Sequence, residues 1–192
     1  MKLLKTKLEG AFIIDLEKTE DERGFFSNVW NKKISQENNL NADITELNIA
    51  FNKKKGTIRG LHYQLAPAAQ TKLVRVIQGR VLDVAVDIRK GSPTFGQSVS
   101  VELTAENKKQ LLVPRGFAHG FVVLEDDTIF AYKVDNYYSP ENDRGIAFDD
   151  KALSIEWQVP YSELNLSAKD KVQPKLAETN DIFEYGVNYY ND

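Results

Sequence analysis

Most of this 192-residue chain is a succession of short segments rich in Val, Ile, Phe and Tyr, interrupted at close intervals by Gly, Pro, Asn and Asp. Segments of that length leave room for strands and little for helices, and such spacing is the mark of a sandwich or barrel. The clearest strands run over 72–77, 80–89, 97–103, 109–113, 119–124 and 128–134. Gln78-Gly79 turns the first into the second, and Gly91-Ser92-Pro93 ends the second. Ala105-Glu106-Asn107 links two others, and Glu125-Asp126-Asp127 reads as a tight hairpin between the last pair. Within 80–89, Leu82, Val84, Val86 and Ile88 share an apolar face, while Asp83, Ala85 and Asp87 share an acidic one. Short helical pieces are expected over 31–37 and over 152–157 or 162–164. Variable connections and short strands favour an all-β, double-sheet jelly roll with a few short helices over a closed up-and-down barrel. No linker, repeat or low-complexity tract divides the chain. It reads as one domain over 1–192, with 176–192 a C-terminal extension. The end of that extension, from Asp181, is aromatic and acidic and fits either a packed tail or a frayed one.

Composition narrows the function. The absence of cysteine removes disulfide scaffolds, thiolate zinc sites and cysteine nucleophiles together. With 25 Lys+Arg against 28 Asp+Glu, the chain lacks the basic stripe of a nucleic-acid binder. No apolar run approaches the roughly 18 residues of a membrane span. The opening Met-Lys-Leu-Leu-Lys-Thr-Lys is too broken by charge for a secretory core. A cytoplasmic protein with neither nucleic acid nor membrane as partner is expected. The two histidines lie 57 positions apart, whereas a cupin-type metal site needs two or three imidazoles converging with a carboxylate.

Four side chains stand out as candidates for chemistry. In Ile58-Arg59-Gly60-Leu61-His62-Tyr63-Gln64, an extended chain points Gly60, His62 and Gln64 one way and Arg59, Leu61 and Tyr63 the other. A lone strand histidine is commonly structural, yet Gly60, His62 and Gln64 make a poor core face, and imidazole transfers protons near neutral pH. His119 alternates with Phe117 and Phe121, which suits a buried histidine bonded to Asp83 or Asp87 as well as it suits catalysis. Lys72 shares parity with Val74 and Val76. It is either an exposed residue at a strand start or a cation inside the barrel, set against a developing negative charge. Tyr132, in line with Phe130 and Val134, is either a core tyrosine with a wet hydroxyl or a buried proton donor. Gly91-Ser-Pro-Thr-Phe-Gly96 lacks the lysine and following helix of a phosphate loop, and no G-x-S-x-G or H-E-x-x-H pattern occurs. Residue types and spacing alone thus reach an all-β domain with a candidate acid/base pocket.

Taken in order, further segments say more. Asp21-Glu22-Arg23-Gly24-Phe25-Phe26, the 58–64 segment, Lys72-Leu73-Val74-Arg75 and DVAVDIRKGSPTFG over 83–96 resemble the dTDP-4-dehydrorhamnose 3,5-epimerase family. So do Pro114-Arg-Gly-Phe-Ala-His-Gly-Phe121, Tyr132-Lys133, Asn136-Tyr-Tyr-Ser-Pro140, Ile155-Glu156-Trp157 and Leu166-Ser-Ala-Lys-Asp170. The resemblance implies a cupin-type jelly roll that dimerises and uses no metal or organic cofactor. It makes His62 the general base and Asp170 the carboxylate that orients and charges it. Tyr132 becomes the general acid on the opposite face of the sugar, and Lys72 the cation beside the C4 oxygen. Arg23, Asn28, Asn48, Arg59, His119, Asp143 and Lys169 fall at or near positions that hold the nucleotide sugar. The implied reaction takes dTDP-4-dehydro-6-deoxy-D-glucose to dTDP-4-dehydro-L-rhamnose, by deprotonation at C3 and C5 and return of each proton from the other side.

The chain departs from the family pattern at several places. Asn28 stands where the family usually carries a carboxylate, and the Gln-x-Asn-x-Ser pattern reads Glu46-Leu47-Asn48-Ile49-Ala50. A family glutamate appears as Asp143, and a tryptophan as Phe148. The acid/base set is intact while part of the pocket wall is altered. Two alternatives follow: an epimerase inverting only C3 or only C5 of another deoxysugar nucleotide, and a silent cupin that binds a carbohydrate.

Overall fold

Two antiparallel sheets face each other, and the middle of the chain passes repeatedly from one to the other. The structure, a computed structural model, describes residues 1–40 and 42–190. In chain order the elements begin with β1 (Lys2–Lys5), β2 (Phe12–Asp15), β3 (Thr19–Asp21), β4 (Gly24–Phe26), α1 (Lys32–Glu37), β5 (Glu46–Asn52) and β6 (Ile58–Gln64). Next come β7 (Lys72–Gln78), β8 (Arg80–Asp87), β9 (Arg89–Lys90), β10 (Ser98–Thr104) and β11 (Gln110–Val113). The last are β12 (Phe117–Val123), β13 (Thr128–Val134), β14 (Asp143–Gly145) and β15 (Phe183–Glu184). One sheet has the order β1-β2-β11-β7-β13-β5, the other β10-β8-β12-β6-β14. This is the double-sheet jelly roll expected from the spacing of the strands. Among the described residues no helix is long and apolar enough to cross a membrane.

One turn assignment needs correction. Glu125-Asp126-Asp127 does not close a hairpin: β12 pairs with β8 and β6, whereas β13 pairs with β7 and β5 in the opposite sheet. Gln78-Gly79 turns β7 into β8 as expected, and in doing so carries the chain from one sheet to the other. Turn residues specify that the chain reverses; which neighbour the next strand finds is decided by the face it must bury. Gly79 makes its corner with φ of 79°, and a Cβ there would overlap the Thr128 side chain.

The strand expected over 80–89 ends at Asp87, and its acidic face is wholly buried. Val81 and Ala85 pack between the sheets with Phe121 and Phe130, while Leu82, Val84, Val86 and Ile88 pack outward against Trp157, Phe148 and Phe183. Both faces are therefore covered, and the two aspartates among them need partners. Asp87 accepts from Arg89, Ser92 and Thr94, and Asp83 accepts from His119. Among the described residues the single α-helix is short, and the Asn31 side chain caps it by accepting from the Ile34 amide at 3.1 Å. The pieces expected over 152–157 and 162–164 are single 3-10 turns at Lys151–Leu153 and Tyr161–Glu163.

Candidate active site

The site begins with an irregularity in β6. His119 of β12 is paired with His62, but two residues further along β12, Phe121 is paired with Arg59, three residues back along β6. The extra residue is a bulge, and it reverses the side-chain alternation. Arg59 and His62 therefore both line the cavity between the sheets, while Ile58, Leu61 and Tyr63 belong to the outer core. Strict alternation had placed Arg59 on the face away from His62; the bulge overturns that. Gly60 permits it, with φ of 121° and its Cα so close to β12 that a Cβ would lie 2.6 Å from the Gly120 Cα.

The cavity occupies about 560 Å³ at one end of the space between the sheets. Its apolar wall is Phe121 against Phe130, rings stacked at 4.0 Å between centroids. One sheet contributes Arg59, His62 and His119; the facing sheet contributes Lys72 from β7 and Tyr132 from β13. Asp143 arrives on β14, and Lys169 with Asp170 on the segment entering the 3-10 turn Asp170–Val172. That segment is registered on the start of β6, because Asn165 exchanges backbone hydrogen bonds with Gly56 and Ile58.

Asp170 is 4% exposed and its Oδ1 lies 2.6 Å from His62 Nε2, while its Oδ2 accepts from the Ser167 hydroxyl at 2.9 Å. Burial alone would raise the Asp170 carboxyl; the His62 ring, Ser167 and Lys169 outweigh it and hold it below the ordinary aspartate value. With Nε2 engaged by Asp170, Nδ1 is the His62 nitrogen left for a bound molecule. Lys72 donates to the His62 carbonyl at 3.4 Å. Burial pushes its ammonium down to about 8, against the pull of Asp143 and Asp83. Tyr132 is raised by burial first, with the Arg59 charge opposing and the weaker Glu46 charge adding to it. The phenol thus keeps its proton at neutral pH. His119 is fixed by both oxygens of fully buried Asp83, each 3.0 Å from Nε2, which settles the choice between Asp83 and Asp87. Side chains able to take and give a proton on facing sheets could reach opposite faces of a ring held between them, with the Lys72 ammonium lining the same cavity.

The structure brings His62, Tyr132, Asp170, Lys72, Arg59, His119, Asp143 and Lys169 to one cavity. It does not bring Arg23, Asn28 or Asn48 to that lining. Arg23 is exposed at the turn between β3 and β4, paired with Asp21 at 2.6 Å. Asn28 accepts from the Trp30 amide. Asn48 sits opposite Tyr132 in the β5–β13 register, and Ala50 of the same β5 face lines the cavity. Residue reasoning missed Ser167, Asn52 and Tyr138. Asn52 is buried and accepts from Arg59 Nε at 2.8 Å. Tyr138 donates to Asp143 at 3.1 Å, and Asp143 is also the partner of Lys169. Ser167 was legible: Ser167-Ala-Lys-Asp170 has the spacing of a capped turn, and the serine hydroxyl accepts from the Asp170 amide at 3.1 Å. Among the described residues no three His, Cys, Asp or Glu side chains gather as a metal site.

Residues 5–178 match the family model for dTDP-4-dehydrorhamnose 3,5-epimerase. The chain belongs to this family. The dTDP-4-dehydrorhamnose 3,5-epimerase of Shigella flexneri is 48% identical over 171 residues, covering 88% of this chain and 93% of that one. The crystal structure of the Elizabethkingia anophelis epimerase superposes with a TM-score of 0.90 at 46% identity, over 94% of this chain and 98% of that one. A Legionella pneumophila epimerase, solved in complex with dTDP-4-keto-L-rhamnose, gives 0.90 at 40% identity over 97% and 99% of the two chains. As a dTDP-4-dehydrorhamnose 3,5-epimerase family member, the chain is an isomerase.

Proposed function

We propose that this epimerase converts dTDP-4-dehydro-6-deoxy-D-glucose into dTDP-4-dehydro-L-rhamnose, with His62 as base, Tyr132 as acid and Lys72 as enolate partner. The observation that carries the assignment of roles is His62 of one sheet, paired with Asp170, across one cavity from Tyr132 and Lys72 of the other sheet. The 4-keto group acidifies the hydrogens at C3 and C5, because the electron pair of either broken C–H bond delocalises onto the C4 oxygen. His62 takes the proton through Nδ1, and the Lys72 ammonium faces the enolate oxygen. The Tyr132 phenol then protonates the same carbon from the other side. His62 passes its proton to solvent and Tyr132 regains one before the second centre reacts. Arg59 and Lys169 suit the diphosphate, and the exposed ring of Tyr138 at the mouth offers the base a stacking face. A cytoplasmic location belongs to the same proposal.

Proton NMR of the substrate in D₂O with catalytic amounts of protein tests the reading. Loss of both H3 and H5 signals is expected. Loss of one alone would make this a single-centre epimerase, and retention of both would overturn the assignment.

A homodimer is part of the proposal. Leu47, Ile49 and Phe51 form an apolar stripe on β5, 64%, 68% and 56% exposed, on a strand at the open edge of its sheet. An uncovered apolar edge of this kind invites pairing. The exposed Phe25 and Phe26 hairpin that carries Arg23 extends the same argument, with Arg23 and Asn28 serving a partner's cavity rather than their own. Light scattering is expected to report twice the chain mass, and Ile49→Glu to halve it. A wild-type monomer would sink the dimer.

A further inference from the structure

From Asp181 the C-terminal tail lies beyond the segment matched by the family model, yet it is tied to the strands that carry both His62 and Lys72. Far from fraying, it packs. Tyr63, next to His62, donates to the Asp181 carbonyl at 2.5 Å, and Arg144 meets the Asp181 carboxylate at 2.6 Å. Buried Phe183 lies against the Tyr63 ring and receives the edge of Tyr189 at 4.9 Å. The chain then ends its described course at a second anchor, on the six-stranded sheet.

That anchor is built on three adjacent strand ends. Lys72 is opposite Val113 of β11 on one side and Val134 of β13 on the other. One residue beyond Lys72 and Val134, and two beyond Val113, stand Thr71, Asp135 and Arg115. Asp135 accepts from the Thr71 amide at 2.6 Å and lies 3.3 Å from Arg115 Nε, with side chains only 2% and 9% exposed. The Tyr190 hydroxyl completes the group. It accepts from the Thr71 hydroxyl at 3.1 Å and from the Arg115 amide at 3.3 Å, while the Arg115 guanidinium lies over its ring at 4.9 Å. Arg115 also donates to the Tyr189 carbonyl. A buried ion pair of this kind is held by its neighbours, and removing one partner leaves the others unsatisfied.

We infer that Tyr190 is a positioning residue for the reaction: through Thr71, Arg115 and Asp135 it fixes the strand start that carries Lys72. The inference rests on the epimerase reading of the cavity. Lys72 touches the reacting oxygen in that reading and Tyr190 does not; Tyr190 acts on where the ammonium stands and how much water reaches it. The groups facing Lys72 are Asp83 from β8, Asp143 from β14, Lys169 and the His62 carbonyl, with His119, Tyr132 and Asp170 around the same cavity. None of them is in the anchor, so loosening the anchor changes the position and hydration of Lys72 without removing a cavity group.

The test is full-length Tyr190→Phe, which keeps the ring and removes the hydroxyl, assayed beside wild type on dTDP-4-dehydro-6-deoxy-D-glucose. A small displacement at a reacting centre is enough for a fall in kcat of about 10-fold, with KM moving less than about twofold. The alkaline limb of the kcat profile is expected to move to higher pH as water reaches Lys72. Thr71→Val, which removes the other end of the same hydrogen bond, should reproduce both effects. Variants that lose only melting temperature, with kcat, KM and the alkaline limb of wild type, would make the tail purely structural and overturn the inference alone. A wild-type protein without turnover would overturn the epimerase reading and this inference with it.

Discussion

His62→Asn is expected to lower kcat by about 10²–10⁴-fold, the usual worth of a positioned acid or base, while dTDP binds with nearly wild-type affinity. Asparagine has no basic nitrogen at neutral pH, and its amide is shorter than the imidazole and stops short of buried Asp170; the carboxylate keeps the Ser167 hydroxyl as a partner, so the fold is largely spared. Tyr132→Phe makes the informative contrast. In the proposed mechanism His62 still removes the proton there, and solvent deuterium can return to the same face through the imidazolium. Exchange at C3 or C5 should therefore continue in Tyr132→Phe while inversion stalls, and both should stop in His62→Asn. NMR of the sugar signals in D₂O, with calorimetric titration of dTDP, reads all three quantities. Exchange at wild-type rate in His62→Asn would remove the base from the mechanism. Inversion at wild-type rate in Tyr132→Phe would remove the acid.

Why some of this was legible and some was not comes down to range. The alternation of apolar residues located β7, β8, β11, β12 and β13 within a residue or two, because a half-buried strand must alternate whatever its neighbours are. Sheet membership was not legible at Glu125-Asp126-Asp127. The turn chemistry there is local, and β13 is drawn to β7 and β5 by contacts far away in sequence. The face of Arg59 was hidden for a related reason. A bulge is a relation between two strands, and its only trace in one of them is a glycine; Gly60 shows that the backbone is unusual there without showing that the alternation reverses. That the acidic face of β8 lies between the sheets was not legible in the strand either, since it depends on the opposite, apolar face being covered by the chain after β14. Four candidate roles rested on resemblance as much as on residue type, and the geometry gathers those residues without measuring what they do. Arg23 and Asn28 were inferred from the same resemblance, and no property of one chain shows where a projecting hairpin would dock.

Lys72→Met should separate activity from stability with opposite signs. Methionine has an unbranched stem of similar length and no charge, so it refills the space and removes the proposed enolate partner. A loss of about 10²–10³-fold in kcat is expected, as for other oxyanion partners. The same change should raise the melting temperature at pH 7. Burial holds the folded-state pKa of Lys72 near 8, below the value of about 10.4 for an unfolded lysine, with Asp143 and Asp83 offsetting only part of that and Lys169 opposing them. The folded state therefore disfavours the ammonium, and below pH 8 it carries that charge at an expense in stability. As pH rises from about 8 towards 10, the folded protein releases the proton first. The unfolded chain then binds more protons, so wild-type stability gains relative to the variant. The Met variant's advantage in melting temperature should accordingly be largest near pH 7 and shrink above pH 8, the same range in which wild-type kcat declines as the ammonium is lost. Thermal unfolding of both proteins at pH 7 and pH 9.5, beside a kcat profile, reads the two trends together. A variant less stable than wild type at pH 7 would mean that Asp83 and Asp143 gain more from the cation than its burial takes away, and that Lys72 holds the cavity together as well as polarising what enters it.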